Sequence, residues 1–308
     1  MLAAPSLYAL GRKPPSRIPP YAIMKLLLTL TALCLLVTSA TAQSNPQAYA
    51  LYNQKGKKTS YRKMMRELRE ADVILFGEYH DNPIAHWMQL EIADDLPQYD
   101  LGLEMFETDE QEALDRFMAD EVTEEELDSI TGGLWNNFHT DYLPILQLAR
   151  RDSAKVYATN VPRAYARMVF QRGFVVLQSL PADHQVHLPP LPPPYDPELP
   201  AYKAMLMPGQ PAGHGGENFP KAQAIKDATM GWFIAKNVRE GRPFFHLNGS
   251  YHSDDFEGIG WYLRQYKPQL RVVTVSTVEQ PEVDRLTEEF VGKANFILAV
   301  PENMTKTY

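Results

Sequence analysis

The chain has 308 residues, 25 prolines, one cysteine and a formal net charge of −8. Acidity of this degree argues against nucleic acid as a partner, because phosphate contacts need basic patches. The lone cysteine, Cys34, lies in an apolar leader run, so the rest of the chain has neither a disulfide framework nor a cysteine nucleophile.

From the start, residues 1–23 are proline-rich and read as a non-native upstream extension, with Met24 as the expected true start. Residues 24–42 then show a basic residue (Lys25), the apolar run Leu26 to Val37 and the small residues Ala40-Thr41-Ala42, the pattern of a secretory signal. The run is short for a membrane span. Leu33 directly before Cys34 fits lipoprotein processing poorly, which argues against lipid anchoring. The expected location is therefore exported and periplasmic. Cleavage after Ala42 leaves 266 residues at a net charge of −12, enough for one large domain over residues 43–308.

Asn45 to Thr59 is polar and reads as a loosely held lead-in. Ser60 to Ala71 predicts a helix capped by Ser60, with Met64, Met65 and Leu68 on one face. Strand and helix then alternate. The expected strands are Val73–Phe76, Leu101–Met105, Lys155–Thr159, Phe244–Leu247, Arg271–Ser276 and Asn295–Ala299. The expected helices are Ile84–Asp95, Glu110–Met118, Tyr142–Arg151, Arg163–Arg172, Ala222–Arg239, Gly258–Tyr266 and Glu282–Val291. This rhythm predicts an α/β fold, a doubly wound, mainly parallel sheet with helices on both faces. Residues 181–220 interrupt it with eleven prolines. Such a stretch cannot form another βα unit, and the alternatives are a solvent-exposed insertion or a lid over the site.

Two segments with the same spacing, Gly77-Glu78-Tyr79-His80 and Gly249-Ser250-Tyr251-His252, each follow a predicted strand. Ligands of open α/β sheets bind beyond the carboxyl ends of the strands, so two such turns are expected to bring His80 and His252 into one crevice. Glu104 stands near the end of the next strand, where an acid is costly to bury unless paired or bound. Asn82 and Pro83 read as cap and first residue of a helix. His86 reads as a partly exposed helical residue and Asn160 as a helix cap. The set Glu78, His80, Glu104 and His252 suits either a divalent metal or acid–base chemistry. No His-Glu-x-x-His helix, Gly-x-Ser-x-Gly elbow or Walker loop is present, and Gly213 to Gly216 follows no strand.

Ile74 to Asn82, Leu103-Glu104-Met105-Phe106 and Asn248 to His252 together resemble the ChaN family of haem-binding uptake proteins. Ala222 to Met230, and Trp135 followed by Tyr142-Leu143-Pro144, fit the same pattern. The paired Gly-x-x-His turns are also similar to the wider Tiki and erythromycin esterase-like superfamily. The resemblance implies haem or iron acquisition, a tyrosine ligand to haem iron, a histidine and a lysine near the propionates, a homodimer on haem binding, and an outer-membrane uptake system as partner. The implied haem contacts are Tyr79, His80, Tyr251 and His252, with Tyr142, Tyr195 and Tyr202 as further candidate tyrosines. The alternative is a metal-dependent hydrolase holding a divalent ion through Glu78, His80, Glu104 and His252.

Overall fold

Seven strands form one sheet in the order β1-β7-β6-β2-β5-β3-β4. They are β1 (Ala50–Asn53), β2 (Val73–Glu78), β3 (Asp100–Glu107), β4 (Val156–Asn160), β5 (Phe244–Gly249), β6 (Val272–Gln280) and β7 (Phe296–Pro301). Only the β1–β7 pair is antiparallel; all other neighbours run parallel. The computed structural model describes Tyr21 and residues 46–207 and 216–308. Apart from Tyr21, the expected upstream extension and signal peptide therefore lie outside the described residues, as does most of Gly213 to Gly216.

The central strands are largely apolar because both faces are covered, with buried polar residues such as His246, Asn248, Thr274 and Ser276 on β5 and β6. Ile74 and Phe76 of β2 point into a core shared with the helices Pro83–Asp95, Gln111–Met118 and Leu143–Arg151. Val73 and Leu75 point the other way, onto the helices Asn218–Asn237 and Ile259–Tyr266. The sheet is thus doubly wound, as the alternation of elements predicts. Ser60 caps its helix through Lys63 N–H, and Asn82 accepts from both Ile84 N–H and Ala85 N–H ahead of Pro83.

Three expectations need correction. The polar lead-in contains β1, whose alternating Leu51 and Tyr52 are buried against β7. Glu282–Val291 is not a helix and holds only a single turn at Glu288–Phe290; its buried residues, Val283 and Leu286, pack onto β1 and β7 as a loop. Asn160 caps nothing, since the next helix starts at Arg163 after Pro162. Instead its amide donates to Glu104 O at 3.0 Å, tying β4 to β3.

The proline-rich stretch contributes the short helices Ala182–Gln185 and Pro200–Ala204. It docks through buried Leu188, Tyr202 and Met205. Backbone carbonyls of His187, Pro194 and Ala201 accept from Thr108, Tyr262 and Tyr251 respectively, at 2.9, 2.8 and 2.7 Å. Proline-rich backbone has carbonyls to offer and few N–H groups, so side-chain hydroxyls are its natural partners. The stretch is a buttress against the body of the protein.

Candidate functional site

Because β2 and β5 are parallel neighbours in register, Gly77 pairs with Asn248 and Glu78 with Gly249. The two Gly-x-x-His segments therefore leave the sheet side by side. Both glycines lie in strands rather than in the turns, and close approach is what requires them. A Cβ on Gly77 would sit 2.8 Å from Ser250 Cα, and one on Gly249 would sit 2.8 Å from His80 Nε2. The His80 ring packs into the space a side chain would occupy.

On the β2 side, His80 Nδ1 donates to Glu78 Oε1 at 2.8 Å, which directs Nε2 toward Gly249. The Glu78 carboxylate is buried and also accepts from Tyr142 Oη at 2.6 Å and from Gln89 Nε2. His86, buried rather than partly exposed, donates from Nε2 to His80 O at 3.0 Å, and Asn137 donates to the same carbonyl at 2.7 Å. A five-residue wide-turn helix, Phe138–Tyr142, brings Asp141 and Tyr142 under this layer; such turns are frequent at functional sites. Trp135 meets the His80 ring edge-on at 4.6 Å. Burial opposes charge on His80, but the Glu78 hydrogen bond and the nearby Glu104 outweigh it and raise its pKa.

On the β5 side the histidine is sealed in. His252 Nε2 faces Glu104 Oε1 at 3.1 Å, while Nδ1 is bonded to Asp227. Carboxylates on both ring nitrogens are satisfied only by an imidazolium, which donates from each. Burial pushes against that charge, yet Glu104 and Asp227 together drive the His252 pKa up to about 10. One imidazolium cannot fully compensate two buried acids. Glu104 also accepts from Gly249 N–H at 2.7 Å and is held below the ordinary carboxylate range despite its burial, chiefly by His252. For Asp227 burial wins, and its pKa is raised even though His252 and Tyr202 oppose this. Tyr202 of the proline-rich stretch donates to Asp227 Oδ2 at 2.8 Å.

A cleft of about 710 Å³ opens over this edge, lined by Glu78, Tyr79, His80, Asp81, Gly249, Ser250, Tyr251, His252, Glu279, Lys306 and Tyr308. The expected juxtaposition of the two turns is therefore present, with Glu104 backing His252 from behind. No described residue of the proline-rich stretch lines the cleft; residues 208–215 of that stretch lie outside the described residues. Among the described residues, no group of three or more His, Cys, Asp or Glu side chains gathers as metal ligands. Glu78 and Glu104 instead have both oxygens engaged by protein donors.

The candidate tyrosines separate by environment. Tyr142 and Tyr202 are fully buried, and burial with Glu78 or Asp227 alongside raises both phenols far above their ordinary range. Tyr195 stacks on Tyr202 at 5.8 Å. Tyr251 is 46% exposed, but its hydroxyl donates to Ala201 O, and burial raises its pKa to about 12. Tyr79 is half-buried at the cleft with no hydrogen-bond partner for its hydroxyl among the described residues, and the Lys306 ammonium lies 5.9 Å from its ring centre. Burial raises this phenol most, Asp254 and Glu279 add to the rise, and Lys293 and Lys306 oppose it.

Sequence reasoning passed over Asp227, Gln89, Asn137, Asp141, Lys306 and Tyr308 as site residues. One signal was present: Asp227 interrupts the run Ala224-Ile225-Lys226-Asp227-Ala228-Thr229-Met230, whose other members are nearly all small or apolar and buried. Lys306 and Tyr308 gave no local signal, since they are brought to the cleft only by the path of the chain after β7.

The family described as haem-binding uptake, Tiki superfamily, ChaN matches residues 64–263, well over half of the chain. No curated protein sequence matches. Among solved structures, the chain is similar to ChaN of Campylobacter jejuni, described as binding haem cofacially. The identity is 21%, with 81% of this chain and 96% of that chain covered, and the TM-score is 0.57. It also aligns with the type III effector HopBA1 at 12% identity, 78% and 92% coverage and a TM-score of 0.42. A Bacillus cereus protein aligns at 10% identity, 82% and 94% coverage and a TM-score of 0.46. The sheet, the paired turns and the extent of the family match lead to one assignment: this chain belongs to the ChaN family of haem-binding uptake proteins, in the Tiki superfamily.

Proposed function

We propose that this protein binds haem in the cleft over the carboxyl ends of β2 and β5, with Tyr79 as ligand to the iron. In this reading it serves haem or iron uptake as an exported, periplasmic protein. Family membership supports the ligand, and the leader sequence supports export. The observation that carries the choice of residue is the environment of Tyr79. Of the candidate tyrosines it alone combines a place on the cleft, partial burial and a hydroxyl without a hydrogen-bond partner among the described residues.

The residues present fit the group. The cleft has aromatic walls at Tyr79, Tyr251 and Tyr308, and His80 directs Nε2 toward Gly249 on its floor. Ferric haem supplies an iron centre for which a phenolate is a recognised axial ligand. Tyr79 would give up its phenol proton on binding, with Lys293 offsetting the resulting charge. His80, held by Glu78, would hydrogen-bond polar groups of the macrocycle. His252 has both nitrogens engaged and would act by fixing Glu104 and the Gly249 amide. Association of two copies around haem, with delivery from an outer-membrane system, completes the proposal.

The test is a haemin titration of residues 43–308, followed by absorbance and sedimentation together. A saturable Soret shift with a tyrosinate charge-transfer band, lost in Tyr79→Phe, and a change from monomer to dimer is the expected result. Absence of any saturable shift would overturn the reading. A second reading, acid–base hydrolysis, draws on the Glu78–His80 pair, since a carboxylate on Nδ1 with Nε2 turned to a cleft is how a general base is oriented. It predicts ester or amide turnover by metal-free protein that disappears in His80→Ala.

A further inference from the structure

After β7 the chain does not leave the body of the protein. Glu302 N–H bonds to Gln280 O at 3.0 Å and Met304 N–H to Pro301 O at 3.0 Å, and the chain then crosses the carboxyl end of β6 toward β2. There Thr307 engages one carbonyl twice. Its N–H reaches Asp81 O at 3.0 Å and its Oγ1 reaches the same oxygen at 2.9 Å. The Lys306 ammonium bridges Asp81 Oδ1, at 3.3 Å, and Glu279 Oε1. Glu279 Oε1 also accepts from Asn82 Nδ2 at 3.0 Å, which ties the segment to the cap of the helix that follows β2. Lys306 and Tyr308 both line the cleft.

We propose that residues 306–308 form a strap that walls one side of the cleft and retains the bound ligand, with Thr307 as its pin and Lys306 as its clasp. The proposal rests on the haem-binding reading for the identity of the ligand. Lys306 faces two carboxylates, so its charge is already matched and its geometry is that of a fastener. The ion pairs are partly exposed, at 31% for Lys306 with 35% for Asp81 and 22% for Glu279. Pairs of this kind hold a segment without locking it, and a short segment pinned to one carbonyl opens locally without unfolding the sheet. A retaining wall acts on the escape rate, where most affinity differences reside, and leaves the iron ligand alone.

The experiment compares residues 43–308 with a variant lacking residues 306–308, and with Lys306→Met and Thr307→Pro, which keep the fold testable should the deletion disturb it. Haemin loss to an excess apoglobin scavenger is expected to be about tenfold faster in the deletion, and faster in Lys306→Met and Thr307→Pro as well, whereas Tyr79→Phe alters the Soret and charge-transfer bands. Equal loss rates in all strap variants overturn the strap and leave the haem reading intact. If the unaltered protein takes up no haemin, the functional reading has failed, and the strap is then judged on ligand-free protein. Nitration of Tyr79 by tetranitromethane should be faster without residues 306–308, and an unchanged rate overturns the proposal.

Discussion

The two Gly-x-x-His segments share spacing and position yet have opposite fates. His80 has one nitrogen on Glu78 and the other turned toward the cleft, with its side chain 30% exposed. His252 has a carboxylate on each nitrogen and is buried. The difference lies in what covers each. The helix Asn218–Asn237 places Asp227 on His252, and Tyr202 from the proline-rich stretch closes over Asp227. No comparable acid reaches Nε2 of His80, because Gly249 occupies that side. One motif thus supplies a partly exposed imidazole at the cleft and a sealed one held by two carboxylates, and a repeated spacing does not imply a repeated environment.

The largest effect should come from breaking the sealed side. His252→Ala strands Glu104 and Asp227 as uncompensated buried acids, and removing one partner of such a set costs about 3–5 kcal/mol. Urea denaturation followed by circular dichroism should show that loss, whereas His80→Ala should stay within about 1 kcal/mol of wild type because its ring is partly solvated. Equal losses would erase the distinction between the two sides.

The glycines sharpen the comparison. Gly77→Ala drives a Cβ against the Ser250 backbone, so overpacking of about 1–3 kcal/mol is expected in the same denaturation experiment. Gly249→Ala meets the His80 side chain instead, which can swing away. It should cost less stability than Gly77→Ala but change the haemin spectrum, as read by absorbance.

pH separates the sides as well. The His252 pKa is raised from its ordinary 6.5 to about 10. Its stabilising contribution is therefore fully present below pH 6.5 and lost as pH rises through about 10. Melting temperature should fall across that window, and Glu104→Gln, which removes one of the acids holding the proton, should narrow it. A flat profile in wild type would mean that His252 is neutral. The smallest effect is expected from Tyr251→Phe, which deletes one partly exposed hydrogen bond to Ala201 O. A loss of about 0.5–1.5 kcal/mol, with faster amide exchange around Pro200–Ala204, would show that this phenol helps hold the buttress.

Much of the fold was legible because it depends on local pattern. Uninterrupted apolar runs such as Val73–Phe76 bounded by amphipathic helices specify a parallel sheet covered on both faces. Asn82-Pro83 fixes a helix start through its own side chain and ring. The segment Glu282–Val291 misled for the same reason: its spacing suits a helix, but Val283 and Leu286 are drawn into a satellite core beside β1 and β7. β1 escaped notice because a four-residue edge strand carries little periodicity.

For the site, the sequence by itself determined that Glu78, His80, Glu104 and His252 stand at strand ends, since strand boundaries and glycines are local. Only the tertiary structure decided their roles. Placing β5 between β2 and β3 brings Gly249 against His80 and Glu104 against His252, and that strand order is a property of the whole sheet rather than of any one segment. Asp227, Tyr142 and Lys306 reach these residues from 25, 64 and 225 positions away, to His252, Glu78 and Asp81 respectively. Charge, burial and hydrogen-bond pairing are properties of neighbours in space, and a linear spacing carries them only where the chain turns back on itself at once.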